Sequence, residues 1–384
     1  MRFATKTERI VESRRRVVAK RCPSYDQAAV APALDELLEP LGGMKRFVLP
    51  GQKVLLKPNM LSAKDPARAI TTHPVLVEAV AEQVRECGGV PFIGDSPGGA
   101  IRGIKRVWSN TGILEMAERA GIELVNFEAS GSKGIEFGMY TFFVSKPVLE
   151  ADVIINLPKL KTHSLTLLTC AVKNMFGVIP GFRKGELHKL FPKPVEFAEM
   201  LVHLYKLVPP SLNIVDAVVA MEGNGPSSGR PHDLGLLIAG EDGVAVDAVA
   251  AGMIGFPEDF IDTTRLAAAM ELGESDLEEI DLVGDGQGVR PDSFELPSNR
   301  VKKLIPRPLA RMVAPLVSVR PVIDPERCTG CGFCFESCPV KAIFPKGDIY
   351  EVNDKKCIDC LCCHELCPES SIDIELSWLA RFFA

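Results

Sequence analysis

The sequence predicts an α/β protein, a mostly parallel sheet flanked by helices, followed by a small α+β domain. Three observations carry this expectation. Short apolar runs rich in β-branched residues alternate with helix-like segments through residues 47–296, the pattern of successive βαβ units. One unit is complete: KVLLKPN (53–59) leads through a helix from Pro74 to Cys87 into VPFIGD (90–95). Finally, nine of the twelve cysteines fall between residues 328 and 367, in a spacing that repeats.

Residues 1–46 read as an N-terminal basic arm and a helix. Residues 1–21 carry eight basic and two acidic side chains, a solvated basic face. Ser13 to Lys20 looks superficially like a twin-arginine signal, but RCPSYDQAAVAPALDELLEP supplies no apolar stretch, so export is not expected and the location is cytoplasmic. No run of about eighteen apolar residues exists, which excludes a membrane span. A net charge of -6 is too mild to announce a nucleic-acid partner.

Residues 47–296 form the α/β domain. The 74–87 helix has proline near its first position, Thr72 or His73 before it and Gly88-Gly89 after it, the expected start and stop signals. Further strands are expected at 123–127, 152–158, 212–219, 233–240 and 280–285. Polar or glycine-rich pieces follow the strands: Lys57-Pro58-Asn59, Asp95-Ser96-Pro97-Gly98-Gly99, Asn156 to His163, Glu222-Gly223-Asn224-Gly225-Pro226 and Glu241-Asp242-Gly243. In a parallel sheet these loops share one rim, where ligands bind. Asp242 also reads as a helix cap, and DSPGG and EGNGP as turns. No Walker loop or GxGxxG fingerprint is present.

Residues 156–193 hold seven basic side chains, including Lys159, Lys161, Lys173 and Lys184, against the single acid Glu186. Such an excess in an acidic protein points to a small anionic ligand, a carboxylate- or phosphate-bearing substrate or cofactor. His163, Lys173 and Asp95 are the candidate catalytic groups. Lys57, Asn59, His73, Ser96, Lys159, Lys161, Asn174, His188, Glu222 and Asn224 are candidate ligand-binding residues. A lysine beside apolar stretches such as LTLL loses proton affinity and can act as a base or nucleophile, whereas Cys170 reads as an inert buried thiol.

Lys57-Pro58-Asn59, Thr72-His73-Pro74, Asp95-Ser96-Pro97-Gly98, Pro158-Lys159, Lys161-Thr162-His163, Lys173-Asn174 and the 222–226 loop resemble the domain-of-unknown-function 362 family. Many of its members carry a cysteine tail of the kind described below, and the family leaves the reaction undefined. The order and spacing of His163, Lys173 and His188 also resemble the nickel-pincer lactate racemases. That resemblance implies a cofactor-tethering Lys173, a metal-binding His188 and an acid or base at His163. Ala171-Val172 depart from the small glycine-type residues that precede the racemase lysine.

Prolines 297, 306, 308, 315 and 321 punctuate a connector over residues 297–321. The last domain spans 322–384, with six basic and eleven acidic side chains. In it Cys328-x2-Cys331-x2-Cys334-x3-Cys338-Pro339 recurs as Cys357-x2-Cys360-x2-Cys363-x3-Cys367-Pro368. This tail resembles the bacterial two-[4Fe-4S] ferredoxins, in which three cysteines hold one cubane and the fourth crosses to the other. Cys328, Cys331, Cys334 and Cys367 would hold the first cluster, and Cys357, Cys360, Cys363 and Cys338 the second. Zinc sites separate their CxxC pairs by longer spacers, and disulfides need an oxidising compartment. Cys362 breaks the spacing and reads as a non-ligand, and His364 as a surface or packing residue. The resemblance implies two hairpins and two short helices, with Val340, Ala342, Ile343, Ile358 and Ile372 against the clusters.

Together these features predict an iron-sulfur oxidoreductase that passes electrons between two [4Fe-4S] clusters and an anionic ligand on the α/β domain, with a redox partner protein. An adaptor that only relays electrons, or a metallocofactor-dependent isomerase, are the alternatives.

Overall fold

Val54, Leu55 and Leu56 are buried together, which requires a strand covered on both faces and puts KVLLKP in the middle of a sheet. The computed structural model describes residues 15–98, 103–300, 303, 319–378 and 381. In chain order the first elements are β1 (Arg16–Arg21), α1 (Gln27–Leu38), β2 (Lys53–Pro58), α2 (Pro74–Glu86) and β3 (Val90–Asp95). Helices α3 (Ile104–Asn110) and α4 (Ile113–Ala120), then β4 (Glu123–Asn126), follow. A side hairpin, β5 (Ser132–Phe137) and β6 (Tyr140–Ser145), leads through α5 (Lys146–Glu150) to β7 (Val153–Leu157). The next segment is β8 (Lys159–His163), β9 (Leu167–Thr169), α6 (Ala171–Asn174), α7 (Phe182–Leu190) and α8 (Pro194–Leu207). The large part closes with β10 (Leu212–Glu222), β11 (Arg230–Gly240), α9 (Gly243–Met253), α10 (Asp262–Ala269) and β12 (Asp281–Gly284).

The main sheet runs β12-β1-β11-β10-β7-β2-β3-β4, with β8 attached to β10 and β9 paired antiparallel with β8. Its neighbours are parallel except β11, which is antiparallel to both β1 and β10. Three expectations change here. Residues 16–21 are a strand inside the sheet, between β11 and β12, so they are not a detached basic arm; residues 1–14 of that arm lie outside the described residues. Residues 159–163 are a strand, because β10 is eleven residues long and pairs with β7 at Leu212↔Ile155 and with β8 at Asp216↔Lys159. The loop 241–243 sits at the opposite edge from the other four polar pieces, since β11 runs backwards. There Asp242 does cap a helix, accepting from Val244 N–H at 2.8 Å and Ala245 N–H at 3.1 Å.

Both sheet faces are covered. Leu34, Leu37, Val77 and Val80 from α1 and α2 pack with Val54, Leu56 and Ile155. On the other face Phe197, Leu201 and Leu204 of α8 pack with Leu55 and Met175. Two predicted site residues belong to this framework. Asp216 is fully buried and accepts from Tyr25 Oη at 2.6 Å and from His73 N–H at 2.9 Å, and it pairs with Lys159 Nζ at 3.0 Å. His73 caps α2 through Nδ1, which accepts from Val75 N–H at 3.3 Å, and its ring stacks on Tyr25 at 3.7 Å. Lys159 and His73 thus tie β8 to the start of α2.

Of the 297–321 connector, only residues 297–300, 303 and 319–321 are described. The cysteine-rich part has β13 (Val319–Ile323) paired antiparallel with β16 (Ile372–Leu376), and a hairpin of β14 (Ile343–Lys346) and β15 (Ile349–Val352). Two five-residue helices, α11 (Phe333–Ser337) and α12 (Cys362–Leu366), complete it. The ferredoxin resemblance implied two hairpins and two short helices; the two helices and one hairpin are present, while the other strand pair joins the two ends of this part rather than forming a hairpin.

Asp216→Asn removes the counter-charge of a buried lysine, whose own desolvation already lowers its proton affinity. It should destabilise the protein by about 3–5 kcal/mol, read as a lower thermal midpoint with unchanged iron content.

Candidate functional site

The carboxyl ends of β2, β3, β8 and β10 meet at one edge of the sheet, and the cysteine-rich part packs over that edge. Between them lies a cavity of about 340 Å³. Its α/β walls include Asn59, Asp95, Lys161, His163, Thr169, Lys173, Lys184 and His188; Cys338, Cys362, Glu365 and Leu366 close it from the other side.

The floor is a set of buried polar groups that satisfy one another. Lys57 Nζ donates to Asp95 Oδ1 at 2.9 Å, and Asp95 Oδ2 accepts from Met60 N–H at 2.7 Å. Gly177 lies against this pair: a Cβ there would come within 1.8 Å of Asp95 Oδ1, so only glycine fits. A run of amides follows. Asn213 Oδ1 accepts from Asn156, Asn156 Oδ1 from Asn174, and Asn174 Oδ1 from Asn59, each at 2.8–2.9 Å. Lys161 Nζ ends the run on Asn59 Oδ1 at 3.0 Å and Ile70 O at 2.6 Å. Lys184 Nζ donates to the carbonyls of Ser96 and Pro97. Burial lowers the proton affinity of Lys57, Lys161 and Lys184, the last to about 8.

Above this floor the partners run out. His163 is fully buried, and its Nδ1 accepts from the N–H groups of Leu165 at 2.9 Å and Thr166 at 3.3 Å. A neutral ring must then carry its proton on Nε2, which lies 3.1 Å from Glu365 Oε1. Neither of those two atoms makes a well-directed hydrogen bond. Burial, reinforced by the charge of Lys173, pushes His163 down to about 3. Glu365 is desolvated too, but His163, Lys173 and His188 together hold its carboxyl below the usual range. Among the described residues Lys173 Nζ makes no hydrogen bond or close ion pair, and burial lowers its proton affinity while Glu365 raises it. His188 is stacked on Phe197 at 4.2 Å, held to about 4 by burial, and has Nδ1 unpaired. Thr169 Oγ1 is unpaired as well. Four buried side chains with unmatched polar atoms, and a lysine with no partner among the described residues, therefore converge on one cavity.

Two smaller cradles lie in the cysteine-rich part. One is walled by Cys328, Cys331, Cys334 and Cys367, with Ile372 and Tyr350; the other by five cysteines, Cys338, Cys357, Cys360, Cys362 and Cys363, with Val340, Ala342, Ile343 and Ile358. Each cradle thus brings together one of the foursomes implied by the ferredoxin resemblance, and the second holds Cys362 as well. Among the described residues no three His, Cys, Asp or Glu side chains converge on one metal ion. Burial pushes the Cys334 and Cys357 thiols up to about 11 and holds Cys363 well above the ordinary thiol range. Such sulfurs become thiolates against a compensating positive charge, which an iron-sulfur cluster supplies. Cys362 instead hydrogen-bonds the sulfur of Cys360, and burial adds to the rise in its own proton affinity.

Of the thirteen α/β residues singled out from the sequence, Asn59, Asp95, Ser96, Lys161, His163, Lys173, Asn174 and His188 line the cavity. Lys57 lies beneath it on Asp95. His73 and Lys159 belong to the Asp216 network. Glu222 pairs with Arg230 and His232, and Asn224 Oδ1 accepts from Ser298, so neither side chain enters the cavity. Thr169 and Glu365 were not singled out. Thr169 carried no signal beyond its polar neighbourhood, and Glu365 sits inside the cysteine repeat, where only cluster ligands were sought. His364 is buried rather than exposed, bridging Ile372 O at 2.6 Å and Asn224 O at 3.1 Å.

A family model described as Domain of unknown function (DUF362) matches residues 54–252, more than half of the chain. The chain belongs to the DUF362 family. A 4Fe-4S binding domain model matches residues 321–344, the first cysteine run of this DUF362 protein. It is 42% identical to the thylakoid-associated protein sll1697 of Synechocystis over 255 residues, 66% of this chain and 78% of that one. Ferredoxin-1 of Rhodobacter capsulatus is 55% identical over 31 residues, 8% of this chain and 48% of the ferredoxin. The lactate racemase apoprotein of Thermoanaerobacterium thermosaccharolyticum superposes with a TM-score of 0.38 at 11% identity, over 59% of this chain and 53% of that one, too loosely to bear on chemistry. The DUF362 chain is thus an iron-sulfur protein, and among its described residues no helix is long and apolar enough to cross a membrane.

His163 and His188 are held neutral far below the ordinary histidine range. Their folded pKa values are depressed, so the unfolded chain binds the extra protons. Stability is complete above about pH 6.5 and is lost as pH falls toward 4. Unfolding with urea at pH 5.5 should take up about one proton fewer in His188→Gln than in the parent, measured by pH-stat.

Proposed function

We propose that this protein is an oxidoreductase in which electrons pass through two [4Fe-4S] clusters to or from a small oxyanion bound in the interdomain cavity. One observation carries the reading: Cys338, a wall of the second cysteine cradle, also lines the cavity that holds Lys173, His163 and His188. A ligand there lies beside the second cluster, and such clusters exchange one electron at a time.

The side chains divide the remaining work. Lys173 is the charge that holds the oxyanion, and its lowered proton affinity suits it to give or take a proton. His163, neutral and with its Nδ1 engaged, donates a hydrogen bond from Nε2 to an oxygen that gains negative charge. Thr169 adds a hydroxyl, and Glu365 balances Lys173 until a ligand arrives. Cys331 of the first foursome is exposed, whereas every member of the second is buried or half-buried, which supports the first cluster as the one nearer solvent. A partner redox protein meets that side, and the acidic tail favours a basic partner. A cytoplasmic location and a domain boundary near residue 322 complete the reading.

Anaerobically reconstituted protein should contain about eight irons per chain. Acetate, oxalate or inorganic phosphate, titrated to saturation, should lower the midpoint potential of one cluster by tens of millivolts, as a nearby negative charge disfavours reduction. Lys173→Met should keep its iron and lose that response. A variant that responds like the parent, or a parent that responds to none of the three anions, would sink the reading.

A further inference from the structure

One wall of the cavity is a short helix of the cysteine-rich part. Helix α12 is five residues long, too short to hold itself together in water. It supplies Cys362, Glu365 and Leu366 to the cavity. The helix is gripped by two cluster ligands, Cys363 within it and Cys367 just past its end, one for each cradle.

Its seat on the α/β domain is specific. Ser227 Oγ donates to Glu365 O at 2.6 Å, and His364 Nε2 lies 3.1 Å from Asn224 O. Lys64 Nζ donates to Pro368 O. Leu366 packs where a side chain on Gly98 would come within 2.5 Å of it. These contacts involve few residues, and none of them substitutes for the sulfur ligands as the origin of the helix's shape.

We infer that oxyanion binding in the cavity is conditional on cluster assembly, with α12 as the cluster-held fourth wall. This rests on the cavity being the ligand site. When the clusters are lost, α12 loses its anchors and the cavity becomes an open face of the sheet edge. His163, Thr169 and His188, now buried with unmatched polar atoms, are then hydrated. The attraction between Lys173 and an anion falls as water enters, because charges interact far more weakly in water than in a protein interior. An oxidant that strips the clusters would therefore release the ligand as well. The coupling is reciprocal: a bound oxyanion holds α12 in place and favours retention of the iron.

The test uses the full chain, loaded and iron-free, with acetate, oxalate and inorganic phosphate as probes; the carboxylate and phosphate arms identify which oxyanion the cavity takes. Calorimetry should show binding to the loaded protein and a loss of about tenfold or more in the iron-free protein. Hydrogen exchange should rise in segments 162–175 and 224–227 of the iron-free chain while β2, β3 and β7 stay protected, which shows that the α/β domain is still folded. The tightest probe should also retard iron loss to a chelator. Leu366→Ala, which opens the wall while leaving every cysteine in place, should keep its iron and bind the probe several-fold more weakly. Equal binding to loaded and iron-free protein overturns this inference and leaves the electron-transfer reading intact. No binding of any probe to the loaded protein overturns both. A Leu366→Ala protein with parental affinity, or a probe without effect on iron loss, also counts against the cluster-held wall.

Discussion

Buried lysine is the constraint on which the rest of this structure depends. An ammonium group taken out of water must find oxygens or lose its proton. Lys57 finds Asp95, Lys159 finds Asp216, Lys161 finds an asparagine and a backbone carbonyl, and Lys184 finds two carbonyls. Lys173 is left facing a cavity, with a carboxylate from the other end of the chain as its nearest compensation. Most of the polar residues in the α/β half that look functional in sequence serve to make this one remainder possible. They hold the floor still, and they use up the acids that would otherwise neutralise it.

The second consequence is the union of the two parts of the chain. A ferredoxin-like unit attached by a connector could have been a mere appendage. Instead Glu365 reaches His163, the backbone of α12 is held by Ser227, and His364 bridges to the 224 carbonyl. The polar loop 222–226 therefore acts mainly as a docking surface for the cysteine-rich part. At Gly225 a Cβ would come within 2.1 Å of Thr162 O, so that loop is also pressed onto β8 as closely as backbone allows. Distance between the cavity and the second cradle is set by these contacts rather than by any covalent link.

His163 shows how local backbone geometry decides chemistry. A histidine at this place in the sequence reads as an acid or a base. Two backbone N–H groups directed at Nδ1 and burial hold the ring neutral, with its proton on Nε2. The tautomer follows from the tight turn between β8 and β9, which brings the amides of Leu165 and Thr166 back onto the ring.

The sequence by itself determined the βαβ core, the α2 start at Pro74, the two cysteine foursomes and the concentration of basic residues around Lys173. Each is a local signal: periodicity, capping chemistry or fixed ligand spacing, all written over a few consecutive residues. Only the tertiary structure decided that β11 runs backwards and sends Glu241-Asp242-Gly243 to the far edge, and that residues 16–21 join the sheet. It also decided that His73 and Lys159 belong to the Asp216 network, whereas Glu365 belongs to the cavity. Those outcomes depend on pairing between segments far apart in the chain. Asp216 and His73 are 143 residues apart, and no spacing rule operates over such a distance; long-range burial and the matching of buried charges selected the partners.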